Sequence, residues 1–148
     1  MSDKILNFIV GVIGAIVSYM FGGWSNLLEL LAVLTVLDFL TGIGASAFEG
    51  NKNPKRSDKG LSSKKGSIGI LKKALMFTVI FVMYRIDEVL GLSGTLSLAV
   101  GATYFYIANE LLSLAENWGR FGLPMPSQMK KAIAILKDKG QQEDKTKE

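Results

Sequence analysis

The sequence contains no cysteine and no histidine. Without thiols or imidazoles the chain can form no disulfide, no zinc finger and no cysteine nucleophile, and it has no histidine to act as a general base. These absences exclude most hydrolase mechanisms. We therefore predict no catalytic residue, no metal site and no cofactor, and a membrane-embedded enzyme would have only carboxylates, serines and lysines for its chemistry.

Apolar residues make up 49% of the 148 residues, and the mean hydropathy is +0.30. A soluble domain of this length is rarely so apolar. Four runs approach the 20 or so residues that a membrane-spanning helix needs, namely 5–21, 27–48, 70–90 and 92–114. The sequence thus predicts an all-α integral membrane protein with four transmembrane helices. A cleaved signal peptide is the alternative for the first run, but one basic residue precedes it and no Ala-x-Ala site follows.

The basic residues predict the orientation. Lysine and arginine concentrate between the second and third runs and after the fourth, whereas the short links 22–26 and 91–94 contain none. By the positive-inside rule, both termini and the long basic loop are cytoplasmic. We divide the chain into a transmembrane bundle (1–117) and a cytoplasmic tail (118–148). In this tail, residues 127–138 have the pattern of a basic amphipathic helix, on the inner leaflet or against the bundle, and the final residues are predicted to be disordered.

Eight charged residues fall within the predicted spans, and we single out five of them as candidate functional residues. Asp38 lies near the bilayer centre, where a bare carboxylate costs about 2.5–3.5 kcal/mol, so it must face protein or water. A pore-lining or assembly role and a purely structural one remain equally open for it. Lys73 and Glu110 lie about one turn from the cytoplasmic face and predict an ion pair between the third and fourth spans. Arg85 and Glu88, three residues apart, can pair on one face of the third.

Small residues recur every four positions in the first two runs. Such spacing allows helix backbones to approach closely, within one chain or between copies. The candidate packing residues are Gly11 with Ala15, Gly14 with Ser18, Thr41 with Ala45, and Gly42 with Ser46.

Three ordered stretches carry a family resemblance: LDFLTG at 37–42, LSSKKG leading to GILKK over 61–73, and NELLSLAEN at 109–117 followed by GLPMP at 122–126. Over about residues 30–138 the chain resembles the toxin-secretion and phage-lysis holins of phages that infect Gram-positive bacteria. The positions that match the family pattern are Asp38, Thr41, Gly42, Ser62, Ser63, Gly69, Lys73, Glu110, Ser113, Glu116, Asn117, Pro124 and Pro126.

The resemblance implies a protein that accumulates in the host cytoplasmic membrane, self-associates and forms lesions that release an endolysin, causing host lysis. Its implied partners are further copies of itself, bilayer lipids with an anionic inner leaflet, and functionally the endolysin. Clostridial relatives are associated with toxin export. The alternative function is a small ion channel or exporter subunit that uses Asp38 as a cation or proton site. Nucleic-acid binding is disfavoured because the basic loop has no interleaved aromatics. A lipid-associated scaffold has only the basic tail in its favour.

Overall fold

A computed structural model describes residues 3–52, 60 and 62–135. These residues form helices joined by short links. The elements are α1 (Asp3–Phe21), α2 (Asn26–Lys52), α3 (Ser63–Leu90), a single 3₁₀ turn (Gly94–Leu96), α4 (Leu98–Arg120) and a short helix, α5, at residues 127–135. Helices α1 to α4 are each long and apolar enough to cross a membrane. The predicted all-α class with four membrane-length helices is confirmed.

Glycines and hydroxyl caps determine where the predicted links form. Gly22 has a φ of +69°, and a Cβ there would lie 2.5 Å from the Tyr84 hydroxyl, so only glycine fits. Ser25 then accepts a hydrogen bond from the Leu28 amide at the start of α2. Helix α3 ends at Gly91, which has a left-handed φ of +66° and donates its amide to the Asp87 carbonyl.

The helix ends differ from the predicted spans at several places. Helix α3 begins at Ser63 rather than at 70, α2 continues to Lys52, and α4 starts at Leu98 rather than 92 and runs on to Arg120. Hydropathy measures what a bilayer tolerates, whereas caps and local hydrogen bonds decide where a helix begins and ends. The long basic loop predicted between the second and third spans thus contains two helix ends. Its residues 53–59 and 61 lie outside the described part, as do the end of the predicted amphipathic helix and the tail from 136 onwards.

Helix α4 is the centre of the packing. Helix α2 lies along it in the same direction, α3 packs on it in the opposite direction, and α2 and α3 make few contacts with each other. The core between these three helices consists of Leu31, Leu34, Met76, Ile80, Ile107 and Leu114. We call the end that holds residues 22–25 and 91–97 the link end. The opposite end, where α2 and α4 finish and α3 begins, is the basic end.

Helix α1 lies at the periphery. No residue of Asp3–Phe21 is buried, and the helix packs mainly on α3 near the link end. There the Phe21 ring stands edge-on to Phe77 at 6.3 Å between centroids. The outward apolar face of α1 is suited to contact acyl chains or other apolar helices in a bilayer.

Helix α5 folds back against the bundle. Its Met129 packs on the core cluster and Ile133 is buried, whereas Lys130, Lys131 and Ile135 are exposed. The described part of the predicted amphipathic helix, residues 127–135, thus contacts the bundle.

Candidate functional site: an ion-paired node joining three helices

Three charged side chains from three different helices meet at one point. The Lys73 ammonium donates to Oδ2 of Asp38 at 2.9 Å and to Oε2 of Glu110 at 2.5 Å. All three side chains are largely buried, with exposed fractions of 16, 15 and 10%. We call Asp38, Lys73 and Glu110 the ion-paired node. The predicted Lys73–Glu110 pair is thus present, and Asp38 joins it.

The helix register explains why these residues share a depth. Asp38 lies twelve residues after the first residue of α2 (26 to 38), and Glu110 twelve after the first of α4 (98 to 110). At 1.5 Å per residue both carboxylates stand about 18 Å from the link end of parallel neighbouring helices. Lys73 approaches from the antiparallel α3, and its long side chain reaches both of them.

Asn117 of α4 extends the node along α2. Its amide nitrogen donates to Oδ1 of Asp38 at 2.9 Å, to the Asp38 carbonyl at 3.2 Å and to the Thr41 hydroxyl at 3.2 Å. Gly42 lies beside this amide, and a Cβ there would be in ordinary contact with the same nitrogen at 3.5 Å. Both carboxylate oxygens of Asp38 are therefore engaged, one by Lys73 and one by Asn117.

Arg120 continues these polar contacts to the basic end. Its guanidinium donates to both carboxylate oxygens of Glu49 at 3.0 and 3.3 Å, to the Ser46 hydroxyl at 3.0 Å and to Oδ1 of Asn117 at 3.2 Å. Such forked pairing fixes geometry more firmly than a single bond. Sequence reasoning missed Glu49 and the role of Arg120. The sequence feature that could have indicated these contacts is the spacing of Asn117 and Arg120, which lie one turn apart at the end of an apolar helix.

A cleft of about 360 Å³ opens at the basic end between α2 and α3. Asp38 and Lys73 lie in its wall, so the node borders this space. Most positions that carry the family resemblance gather here. The lining includes Asp38, Gly42, Ser62, Gly69, Lys73, Ser113, Glu116 and Asn117. Pro124 and Pro126 lie elsewhere, exposed in the turn before α5, where the Pro126 carbonyl accepts the Met129 and Lys130 amides.

The small-residue stripes of α1 and α2 have different surroundings. In α2, Ala45 is fully buried, while Thr41 and Ser46 bond to Asn117 and Arg120 of α4. In α1, Ala15 and Ser18 are exposed, and a Cβ added at Gly11 or Gly14 would meet no described atom within 4 Å. The α1 stripe thus has no packing role among the described residues of one chain.

Arg85 and Glu88 lie far from the node, at the link end. They pair with each other at 2.5 Å with almost half of each side chain exposed. The Arg85 guanidinium also stands 5.2 Å from the centre of the Tyr19 ring, a cation–π contact that attaches α1 to α3.

Asp87, which sequence reasoning did not single out, is the buried acid of the link end, with 4% of its surface exposed. Its carboxylate accepts the Ser97 hydroxyl at 2.7 Å and the Leu98 and Ala99 amides at 2.8 and 2.9 Å. Ser97 in turn accepts the Val100 amide at 3.1 Å. Asp87 therefore caps the N-terminus of α4, where the helix dipole favours a negative charge. The sequence feature that could have indicated this cap is a carboxylate ten residues before a serine at the start of a predicted helix.

A comparison with known families assigns the chain to one of them. The model of the bacteriophage holin family matches residues 15–138, which contain the whole node and the cleft. The chain belongs to the bacteriophage holin family. Together with the four membrane-length helices, this makes it a multi-pass protein of the bacterial cytoplasmic membrane. Most of α1 precedes the matched region.

Curated relatives agree with this assignment. A protein of Bacillus phage phi105 named "Probable holin" is 32% identical over 126 residues, covering 84% of this chain and 84% of its own length. Uncharacterized proteins of Halalkalibacterium halodurans (39% over 138 residues, 91% of this chain and 96% of that one) and Listeria monocytogenes (37% over 144 residues, 97% and 95%) are also similar. No solved structure matches the chain.

Proposed function

We propose that the chain is a holin that self-associates in the host cytoplasmic membrane and forms lesions through which an endolysin reaches the cell wall. The observation that carries the proposal is the family match over residues 15–138, combined with four helices long and apolar enough to cross the membrane. The bacteriophage relative named as a probable holin supports the same role. We propose no catalytic activity.

In the proposed topology both termini and the basic end face the cytoplasm. Lys64, Lys65, Lys130 and Lys131 lie at this end and would contact anionic headgroups of the inner leaflet. The links at 22–25 and 91–97 would face outward. Of the basic residues that the structure describes, Arg85 is the one near the link end, and its charge is compensated by Glu88. We retain the division into a bundle (1–117) and a cytoplasmic tail (118–148) as part of this proposal.

Self-association is the second part of the proposal. Helix α1 packs mainly on α3 near the link end, and its Gly11 and Gly14 have open space beside them. A helix with small residues on an open face can approach a neighbouring helix closely in a membrane. We therefore assign the α1 stripe to contacts between copies and the α2 stripe to packing within one copy.

A small ion channel or exporter subunit that uses Asp38 as its cation or proton site is the alternative. The position of Asp38 in the wall of the cleft at the basic end favours it. Against it, both carboxylate oxygens of Asp38 already accept hydrogen bonds and Lys73 supplies the opposing charge. A narrow, ordered conductance in planar bilayers that disappears in Asp38→Asn would favour the channel, whereas passage of folded protein favours the holin.

Inducible expression in bacteria tests the proposal. Membrane potential and turbidity are followed in cells that express this chain, an endolysin, or both. We expect abrupt loss of potential whenever the chain accumulates, and lysis when both proteins are present. Endolysin expressed alone is the control, and the amount of chain in the membrane fraction is measured in parallel. Continued growth with an intact potential, at a membrane level similar to that of an authentic holin, contradicts the proposal.

A further inference from the structure

The two ends of the bundle hold α3 in different ways. At the link end, a connection of a few residues joins α3 to α4, and Asp87 of α3 accepts three hydrogen bonds from the start of α4. At the basic end, the cleft separates α3 from α2. The Lys73 ammonium reaches across to Asp38 and Glu110.

The pair formed by α2 and α4 holds together without Lys73. Arg120 of α4 is bonded to Glu49 and Ser46 of α2, and Asn117 of α4 is bonded to Thr41 and to Asp38. The long packed surface between these two helices adds to these bonds. At the basic end, α2 and α4 are therefore joined by bonds that do not involve α3.

The charges make Lys73 indispensable to the closed arrangement. The node holds two carboxylates and one ammonium in largely buried positions, which gives a net charge of −1. Without the ammonium, two buried carboxylates would face each other with no cation between them. Removing one partner of a buried ion pair is strongly destabilising, whereas replacing all members together by well-packed uncharged residues of similar volume leaves no unpaired charge and is often close to neutral.

We propose that Lys73 is a latch that holds the basic-end half of α3 against the α2–α4 pair, and that its release lets α3 swing about the link end and widen the cleft. This inference rests on the proposed function, in which such opening is the first step from the closed chain towards a lesion. The node then controls when lesions form. Lipid or a second copy would line the surface that opens.

Cross-linking measures the latch directly, and the absence of native cysteine makes introduced thiols unique. One pair, Ile43→Cys with Gly66→Cys, spans the cleft from α2 to α3. A control pair, Ser25→Cys with Ser93→Cys, spans a cavity at the link end. A short bifunctional thiol reagent with a reducible linker is applied to membranes that contain each pair.

In Lys73→Met we expect the yield across the cleft to fall at least about tenfold, since loss of a buried partner shifts such an equilibrium on the order of a hundredfold or more. The link-end pair should keep its yield. The triple variant Asp38→Asn, Lys73→Met, Glu110→Gln should recover the cleft yield, and Lys73→Arg should retain it. An unchanged cleft yield in Lys73→Met, or loss of yield in both pairs, overturns the latch.

Lysis timing supplies the second arm, in cells that also express an endolysin. Lys73→Met should depolarise cells earlier than the parent, and the triple variant should return towards parental timing. Cross-linking the cleft pair in the otherwise native sequence should delay depolarisation until reductant is added, a test that requires no change in the node. If cross-linking the cleft pair leaves the time of depolarisation unchanged, the latch is overturned. Failure of the parent chain to depolarise cells contradicts the proposed function instead, while the cross-linking yields still report on the latch.

Discussion

Both the link end and the basic end contain carboxylates buried in an apolar bundle, but these carboxylates have different hydrogen-bond partners. At the link end, Asp87 is satisfied by neutral donors from a segment about ten residues along the chain. At the basic end, Asp38 and Glu110 are satisfied by a cation from another helix. The hydrogen bonds of Asp87 are local in sequence and form together with the α3–α4 hairpin. The bonds of Asp38 and Glu110 to Lys73 require three helices to be in place, so they depend on the tertiary arrangement.

This difference has a physical consequence. A carboxylate held by backbone amides at a helix N-terminus is stabilised wherever that helix exists. A carboxylate held by an ammonium is stabilised while the two helices remain together, and it becomes an unpaired buried charge when they separate. The basic end is therefore the end whose stability depends on helix arrangement.

The largest expected effect follows from removing the cation of the basic end. Lys73→Met should lower the free energy of unfolding by about 3–5 kcal/mol, because two buried carboxylates lose their partner. The triple variant Asp38→Asn, Lys73→Met, Glu110→Gln should recover most of this loss. Denaturant unfolding of the purified protein in micelles, followed by circular dichroism, measures both. If the triple variant is as unstable as the sum of its single changes, the node is not an electrostatic unit.

The next effect tests the link end. Asp87→Ala should cost about 2–4 kcal/mol, since the Ser97 hydroxyl and two amides lose their acceptor in a buried place. Asp87→Asn keeps an acceptor oxygen and should cost less. Amide hydrogen exchange at Leu98 and Ala99 reports the cap itself. Protection that persists in Asp87→Ala would show that the cap does not hold the start of α4.

The smallest effect concerns the exposed pair of the link end. Arg85→Gln should change the free energy of unfolding by no more than about 1 kcal/mol, because Arg85 and Glu88 are nearly half exposed. The cation–π contact of Arg85 with Tyr19 helps to attach α1 to α3. The fluorescence of Trp24, which follows α1, should therefore change even though the free energy of unfolding changes little. A loss as large as that of Lys73→Met would mean that α1 is integral to the fold.

The sequence predicted the parts of this comparison that depend on one helix at a time. Apolar runs gave four helices, and the depths of Lys73 and Glu110 gave their pair. It could not give the role of Asp38 with Asn117, because that depends on which face of α2 meets α4. Hydropathy also underestimated α3, whose first turns contain Ser63, Lys64 and Lys65, and it could not reveal Asp87 as a cap. The small-residue pattern is the same in α1 and α2, yet among the described residues the α2 stripe packs within the chain and the α1 stripe does not.

The most direct test of the comparison is a distance measurement between paired spin labels in membranes. Labels at Ile43→Cys and Gly66→Cys report the cleft, and labels at Ser25→Cys and Ser93→Cys report the link end. When Lys73→Met is introduced, the account predicts that the distance across the cleft lengthens while the distance at the link end stays the same. Unchanged distances at both ends, or separation at the link end alone, would contradict it.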